Sequence, residues 1–160
     1  MRSATPISAV LRACALVLLV VAVAACSRNG TGVGNLAPGG GAPGSQQEFL
    51  VSVGDRVFFE TDSSSLTPTA MQTLDKQATW LNQYRNYRIM LEGHADERGT
   101  REYNIALGAR RAAVVVNYLV SKGVDQRRIT SKSFGKERPV AICNDISCWS
   151  QNRRAVTVVQ

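Results

Sequence analysis

Two patterns of hydrophobic and polar residues alternate along the chain after residue 48. Hydrophobic residues at every second position are typical of a strand that is buried on one face, and spacings of three and four are typical of an amphipathic helix. Strands are predicted at 51–59, 87–93, 129–134 and 154–159, and helices from 68 to about 82–86 and from about 103 to 122. This order predicts an α/β two-layer sandwich with a mixed four-stranded sheet.

Turn and capping residues set several of the predicted boundaries. Gly54 interrupts the first β-rich region, which is predicted as two short strands. Thr67 followed by Pro68 is typical of a helix N-cap and the first helical residue. Lys122 followed by Gly123 is typical of the last turn of a helix and of the glycine just beyond it.

The second predicted helix carries two stripes of residues. The first stripe is apolar and is expected to face the core: Ile105, Ala109, Ala112, Val116 and Leu119. The second stripe lies on one side of the helix and combines polar, small and charged residues: Asn104, Leu107, Gly108 and Arg111. Glycine destabilises a helix by about 1 kcal/mol relative to alanine, so Gly108 predicts the close approach of another backbone or of a ligand.

The loop before this helix supplies an acidic residue. Asp96 follows the second predicted strand and lies fifteen residues before Arg111. A carboxylate and a guanidinium that face one small cleft could bind a zwitterion that carries both an ammonium and a carboxylate. The alternative is a salt bridge between Asp96 and Arg111 that only joins loop to helix, because ion pairs are common and usually weakly stabilising.

Four separated motifs carry a resemblance to a known family: GHADERG at 93–99, REYN at 101–104, LGARRA at 107–112 and QNRRAVTVV at 151–159. In this order and at these spacings they resemble the peptidoglycan-associated lipoproteins (Pal) of the OmpA-like cell-wall-binding family, over about residues 51–160. The resemblance implies a non-enzymatic βαβαββ domain that binds peptidoglycan. It also implies binding to the periplasmic propeller protein TolB, within the Tol–Pal system of envelope integrity and cell division.

The resemblance assigns three ligand contacts to this chain. Asp62, Asp96 and Arg111 match the family's contacts with the diaminopimelate residue of uncrosslinked peptidoglycan stem peptide. In this assignment the fork of Arg111 binds the carboxylate of the ligand, Asp96 is the partner of its ammonium, and Asp62 closes the other side of the site. Many Pal sequences have an aromatic residue before the loop aspartate. Thr61 stands there in this chain and removes a possible packing surface.

The first 25 residues predict the signal peptide of a lipoprotein. Arg2 and Arg12 accompany an apolar run of thirteen residues, 13–25, which is short for a membrane span. Small residues before Cys26 resemble a lipobox, so cleavage before Cys26 and acylation of this cysteine are expected. An ordinary secretory signal is the alternative. Ser27 follows the cysteine where an aspartate would favour the inner membrane, so the outer membrane is expected.

The chain is therefore divided into three parts: a signal peptide at 1–25, a lipidated cysteine with a flexible Gly/Pro/Ser-rich linker at 26–47, and a peptidoglycan-binding domain at 48–160. The formal net charge of +7 would suit a nucleic-acid binder. Export argues against nucleic acid, and leaves the cell wall and lipid surfaces as anionic partners. The expected location is the outer membrane, with the folded domain in the periplasm.

Metal, cofactor and catalytic chemistry have weak support in the sequence. His94 is the only histidine, and one histidine among scattered acids does not predict a zinc site. We expect its ring nitrogens to bond to loop backbone. Cys143 and Cys148 are predicted to form a disulfide outside the cytoplasm, worth roughly 2 kcal/mol from its short loop. A redox-active pair is the alternative for these cysteines.

The remaining candidates are given structural roles. Asn104 and Tyr103 are expected to orient the loop, and Trp80 and Trp149 are expected to pack in the domain. The pair Arg153-Arg154 begins a strand, so one side chain is expected to pair with acids of the core loops and the other to face solvent.

The sequence thus predicts a non-enzymatic anchor between the outer membrane and the cell wall. The alternatives are another OmpA-like lipoprotein without a Tol partner, and an enzyme that acts on peptidoglycan.

Overall fold

The computed structural model of the chain describes residues 41–160. The predicted signal peptide, Cys26 and most of the predicted linker lie outside the described residues. Among the described residues, no helix combines the length and the apolar character needed to cross a membrane.

The described part contains four helices and four strands, together with a π-helical and a 3-10 turn. In chain order they are α1 (Gln46–Glu48), a π-helical segment (Phe49–Gly54), β1 (Arg56–Phe58), α2 (Pro68–Gln83), β2 (Ile89–His94), α3 (Arg101–Ser121), a 3-10 turn (Gln126–Arg128), β3 (Ile129–Gly135), α4 (Ile146–Asn152) and β4 (Arg154–Val159). The sheet order is β1-β4-β2-β3. The β2–β3 pair is parallel and the other two pairs are antiparallel. The mixed four-stranded sheet predicted from the sequence is therefore confirmed.

The capping residues act as the sequence predicts. The side chain of Thr67 accepts a hydrogen bond from the backbone of Ala70 at 3.1 Å, and Pro68 is the first residue of α2. Gly123 follows the end of α3 with a φ of +91°, which favours glycine. Helix α3 begins two residues earlier than predicted, because Thr100 caps it by accepting from Tyr103 N at 3.2 Å.

Two parts of the secondary-structure prediction are wrong. The valines before Gly54 lie in a π-helical turn rather than in a strand, because Phe49 is buried against Trp80 with ring centroids 5.0 Å apart. Helix α4 was not predicted, because its sequence has no apolar stripe. A local signal for α4 is present nonetheless, since the carboxylate of Asp145 accepts from Ser147 N at 2.7 Å and caps the helix.

The core lies between the sheet and helices α2 and α3. Its main members are Leu74, Ala78, Leu81, Ile89, Leu91, Ala112, Val115 and Leu119. The predicted apolar stripe of α3 is only partly correct, because Ala109 is exposed. The whole second stripe, from Asn104 to Arg111, is buried instead.

The second stripe is buried because the backbones of α3 and β2 touch. A Cβ atom added to Gly108 would lie 2.8 Å from the carbonyl oxygen of Gly93, and one added to Gly93 would overlap the carbonyl of Gly108. The close backbone approach expected at Gly108 is therefore present, and its partner is a strand. This contact brings the N-terminal half of α3 against the end of β2.

The segment before the core is clamped at the other end of β2. The carboxylate of Glu48 accepts from Trp80 Nε1 at 2.8 Å and from Gly44 N at 2.7 Å. The hydroxyl of Tyr87 donates to the carbonyl of Gly44 at 2.7 Å. Residues 44–48 are thus fixed to α2 and to the start of β2 by side chains that sequence periodicity alone does not reveal.

Replacing Gly108 with alanine tests the backbone contact. The change Gly108→Ala should lower the free energy of unfolding by about 1–3 kcal/mol, as overpacking does. Helix propensity alone would raise it by about 1 kcal/mol. The measurement is urea unfolding of the purified protein, and Ala109→Gly, at an exposed position of the same helix, calibrates the propensity effect. A net gain in stability for Gly108→Ala would contradict the contact.

Candidate functional site

A cleft of about 260 Å³ lies where β2 ends and α3 begins. Its walls come from the loop before α2, the loop after β2 and the first three turns of α3. The lining residues are Thr61, Asp62, Asp96, Arg98, Gly99, Tyr103, Asn104, Leu107 and Arg111. The structure therefore brings the three predicted site residues, Asp62, Asp96 and Arg111, into one cleft.

Arg111 is fully buried and is held by backbone carbonyls. Its Nε donates to Ser63 O at 2.8 Å, and its two terminal nitrogens donate to His94 O at 2.8 Å and to Glu60 O at 3.2 Å. Burial, followed by the charge of Arg153, lowers its pKa to about 10, so it remains cationic at neutral pH. A guanidinium has five N–H groups, so two remain after these three bonds.

Asp96 is bonded to two other arginines. Arg98 donates to its carboxylate through Nε at 3.1 Å and a terminal nitrogen at 2.7 Å, and Arg153 approaches it at 3.4 Å. Burial raises the pKa of Asp96, but the bonds from Arg98 outweigh burial and keep the pKa below its usual value. The alternative expectation of a structural Asp96–Arg111 salt bridge is wrong, since the ion-pair partners of Asp96 among the described residues are Arg98 and Arg153.

Asp62 lies on the exposed side of the cleft. Its backbone adopts a left-handed conformation with a φ of +54°, a strained conformation that aspartate tolerates better than most residues. Its carboxylate accepts a hydrogen bond from the hydroxyl of Tyr103, and this bond raises the pKa of that hydroxyl. The neighbouring Thr61 also lines the cleft.

The cleft can thus face both charges of a small polar ligand. Two acids, Asp62 and Asp96, and two arginines, Arg98 and Arg111, line the cleft. Arg98 is the more exposed of the two cations, whereas Arg111 is buried and held by the carbonyls that it bonds.

Comparison with known proteins settles the family of the chain. A family model described as the OmpA family matches residues 58–153. The chain belongs to the OmpA family. It is 58% identical over 145 residues to a peptidoglycan-associated lipoprotein of Mesorhizobium japonicum, with 88% of this chain and 86% of the relative covered. A peptidoglycan-associated lipoprotein of Rhizobium meliloti is also 58% identical, with 89% and 84% covered. Within the OmpA family, the chain is a member of the peptidoglycan-associated lipoproteins.

A solved structure of a peptidoglycan-associated lipoprotein agrees with this placement. The crystal structure of the peptidoglycan-associated lipoprotein from Burkholderia pseudomallei has a TM-score of 0.65 and 40% identity, covering 66% of this chain and 90% of that one. The C-terminal domain of Helicobacter pylori MotB has a TM-score of 0.62 at 21% identity, covering 66% of this chain and 84% of that one, and shows a shared fold only.

The OmpA-family motifs contain cleft residues that the sequence analysis did not assign. Arg98 was not predicted, although it lies two residues from Asp96. Its guanidinium lies 4.2 Å above the ring of Trp149. Trp149 is half-buried beside the loop after β2 and is not part of the core. Asn104 orients the loop as predicted, because its side chain donates to Arg98 O at 2.7 Å.

The arginine pair of the last OmpA-family motif is buried at both positions. Arg153 donates to Phe59 O at 3.0 Å and approaches Asp96, as predicted for one member of the pair. The prediction that the other member faces solvent is wrong. Arg154 is 4% exposed, and it donates to Asn152 O at 3.3 Å and to Arg138 O at 3.2 Å.

His94 differs from its predicted role. Its ring nitrogens have no hydrogen-bond partner among residues 41–160, and its ring stacks on Phe134 with centroids 5.5 Å apart. Burial, followed by the charges of Arg154, Arg138 and Arg56, lowers its pKa to about 4. Its contribution to the site is through its backbone, whose carbonyl accepts from Arg111.

The disulfide between Cys143 and Cys148 is present and does not line the cleft. In the described part of the chain, no group of three or more His, Cys, Asp or Glu side chains is placed to hold a metal ion.

The single histidine makes the acid sensitivity of folding measurable. The pKa of His94 is about 4 in the folded protein and about 6.5 when unfolded, so the unfolded chain binds the proton first. Stability should be fully present above pH 6.5 and should fall by on the order of 2 kcal/mol between pH 7 and pH 5. Urea unfolding across this range should show the loss in the wild type and a much flatter profile in His94→Gln. Equal slopes in the two proteins would contradict the buried neutral histidine.

Proposed function

We propose that this chain is an outer-membrane lipoprotein that binds the diaminopimelate residue of uncrosslinked peptidoglycan stem peptide non-covalently. It thereby tethers the outer membrane to the cell wall, in the Tol–Pal system with TolB as its partner. The observation that carries the proposal is the cleft itself, which joins Asp62, Asp96 and Arg111 in a member of the peptidoglycan-associated lipoproteins.

The charges of the cleft complement the free end of diaminopimelate. That end carries an ammonium and a carboxylate on one carbon. Asp62 and Asp96 accept the ammonium, and Arg111 binds the carboxylate with the N–H groups that its carbonyl partners leave over. Because these carbonyls fix Arg111 before binding, little side-chain entropy is lost when the ligand arrives.

The proposed role is binding without catalysis. The lone histidine is 2% exposed and is not among the residues that line the cleft, so it is poorly placed as a general base. The relatives compared above are named as lipoproteins associated with peptidoglycan. A tether gains from a ligand that is held and not cleaved.

The proposed anchor is the acylated Cys26. Three acyl chains hold a protein at a bilayer stably, where a single chain would not. The segment between Cys26 and the clamp at residues 44–48 is rich in glycine and proline, and its seventeen residues, 27–43, would span roughly 23 Å on average as a flexible chain. This reach suits a domain that must contact a layer near the membrane.

Changing the lipidated cysteine tests the anchor. The variant Cys26→Ser should appear in the soluble or unprocessed fraction of the cell, because the acyl chains attach at this residue. Mass spectrometry of the mature wild type should find acyl chains on Cys26. A mature end that is unmodified and begins elsewhere would refute the anchor.

Changing the charged residues of the cleft tests ligand binding. Asp62→Asn removes an exposed charge and should weaken binding of a diaminopimelate stem peptide about tenfold while leaving the melting temperature nearly unchanged. Arg111→Ala should weaken binding by about ten- to a hundredfold and should also lower stability, because three carbonyls lose their donor. Calorimetric titration alongside melting curves measures both effects.

Glu137→Gln is the matched control, since this exposed acid pairs with Arg101 outside the cleft. It should bind like the wild type. Near-wild-type affinity in both Asp62→Asn and Arg111→Ala would overturn the site assignment. Release of soluble muropeptides from purified sacculi would instead favour an enzyme.

A further inference from the structure

A second and larger groove lies on the other side of the Asp96 loop. It has a volume of about 450 Å³, and its lining is mostly apolar: Ala95, Glu97, Lys136, Pro139, Ala141, Ile142, Cys143 and Asn144. None of these residues lines the cleft described above, so the groove is a separate site. Ala95 and Glu97 flank Asp96 in sequence, so one short stretch of backbone forms a wall of both the groove and the cleft.

The far wall of the groove is a loop that is fixed with its apolar residues outward. The buried side chain of Asn152 accepts from Val140 N at 2.9 Å and Ala141 N at 3.2 Å, and donates to Ala141 O at 2.7 Å. The disulfide closes the same loop from Cys143. Ile142 is nevertheless 90% exposed. An aliphatic side chain held rigidly in solvent is a pre-organised contact for a ligand.

Lys136 links the groove to the cleft. Its ammonium donates to Glu97 O at 3.1 Å and to Gly99 O at 2.7 Å, and Gly99 lines the cleft. An ammonium has three donors, so one remains for a ligand. Lys136 has no salt-bridge partner among the described residues, whereas the carboxylate of Glu97 is engaged by the indole of Trp149. The groove thus offers apolar walls with a cation at the rim.

We propose that this groove holds the C-terminal D-alanine end of the same stem peptide, with Lys136 facing its terminal carboxylate. The inference rests on the proposed function, because the diaminopimelate residue must occupy the cleft. The free end of that residue is joined by three methylenes to the peptide-linked end, from which the D-alanine continues. The methyl group of D-alanine matches the apolar wall, and its carboxylate matches Lys136.

This assignment makes the groove a specificity element. A stem peptide that ends in D-alanine with a free carboxylate fits both the groove and the cleft, whereas a peptide that ends at diaminopimelate has no D-alanine to place in the groove and fills the cleft alone. The protein therefore prefers stem peptides that keep a terminal D-alanine.

The test compares four ligands on the detergent-purified full chain by calorimetric titration: free diaminopimelate, the stem tripeptide that ends in it, the tetrapeptide with one D-alanine added, and that tetrapeptide with a C-terminal amide. The wild type should bind the tetrapeptide about fivefold or more tightly than the tripeptide, from one buried methyl group and one charge pair. The amide should lose part of this gain.

Ile142→Asp places a negative charge beside the proposed carboxylate. It should reduce tetrapeptide affinity to the level of the tripeptide and leave free diaminopimelate unchanged. Ile146→Asp is the matched control, because Ile146 is 60% exposed in the same region and does not line the groove. It should bind all four ligands like the wild type.

The outcomes separate this inference from the proposed function. Equal wild-type affinity for tripeptide and tetrapeptide, or an unchanged preference in Ile142→Asp, would overturn the groove assignment while the cleft assignment stands. Failure of the wild type to bind any of the four ligands would overturn both.

Discussion

The buried guanidinium of Arg111 holds together the three parts of the chain that surround the cleft. Burying a charge is costly unless its donors are satisfied, and Arg111 satisfies three of them on backbone carbonyls. Two of these carbonyls belong to the loop before α2 and one to the end of β2, while the side chain itself extends from α3. The loop geometry and the charge of the cleft therefore have one common cause.

This arrangement explains which features of the site the sequence could predict. The strand-end position of Asp96 and the helical stripe with Arg111 predicted that both would face one cleft, and both line it. The carbonyl partners of Arg111 were not predictable, because every residue carries a carbonyl and those of Glu60 and Ser63 are about fifty positions away. The alternative of an Asp96–Arg111 bridge is wrong for a similar reason: complementary charge suggested a pair, and the fold supplied other partners to each.

The fold was predicted where hydrophobic period and end signals agreed, as in α2 and β4. The prediction failed where the side chains that are buried differ from those that the hydrophobic spacing indicates. Val51 and Val53 suggested a strand before Gly54, but this segment forms a π-helical turn in which Phe49 packs on Trp80. In α3, the apolar stripe was a weaker guide than Gly108, because the contact of two glycines determines which face of the helix meets the sheet. The prediction from a single destabilising glycine was therefore more informative than the prediction from five apolar residues.

The position of the clamp at residues 44–48 has a mechanical consequence. The clamp bonds to Tyr87, just before β2, and the cleft begins beyond His94, at the other end of the same strand. In a domain that is pulled through its N-terminal linker and holds its ligand in the cleft, force runs lengthwise along β2 over about 20 Å. This strand is hydrogen-bonded to β3 on one side and to β4 on the other, so a lengthwise pull shears many of these bonds together instead of opening them one at a time. The strand that positions the site is thus also the part of the sheet best arranged to carry a load.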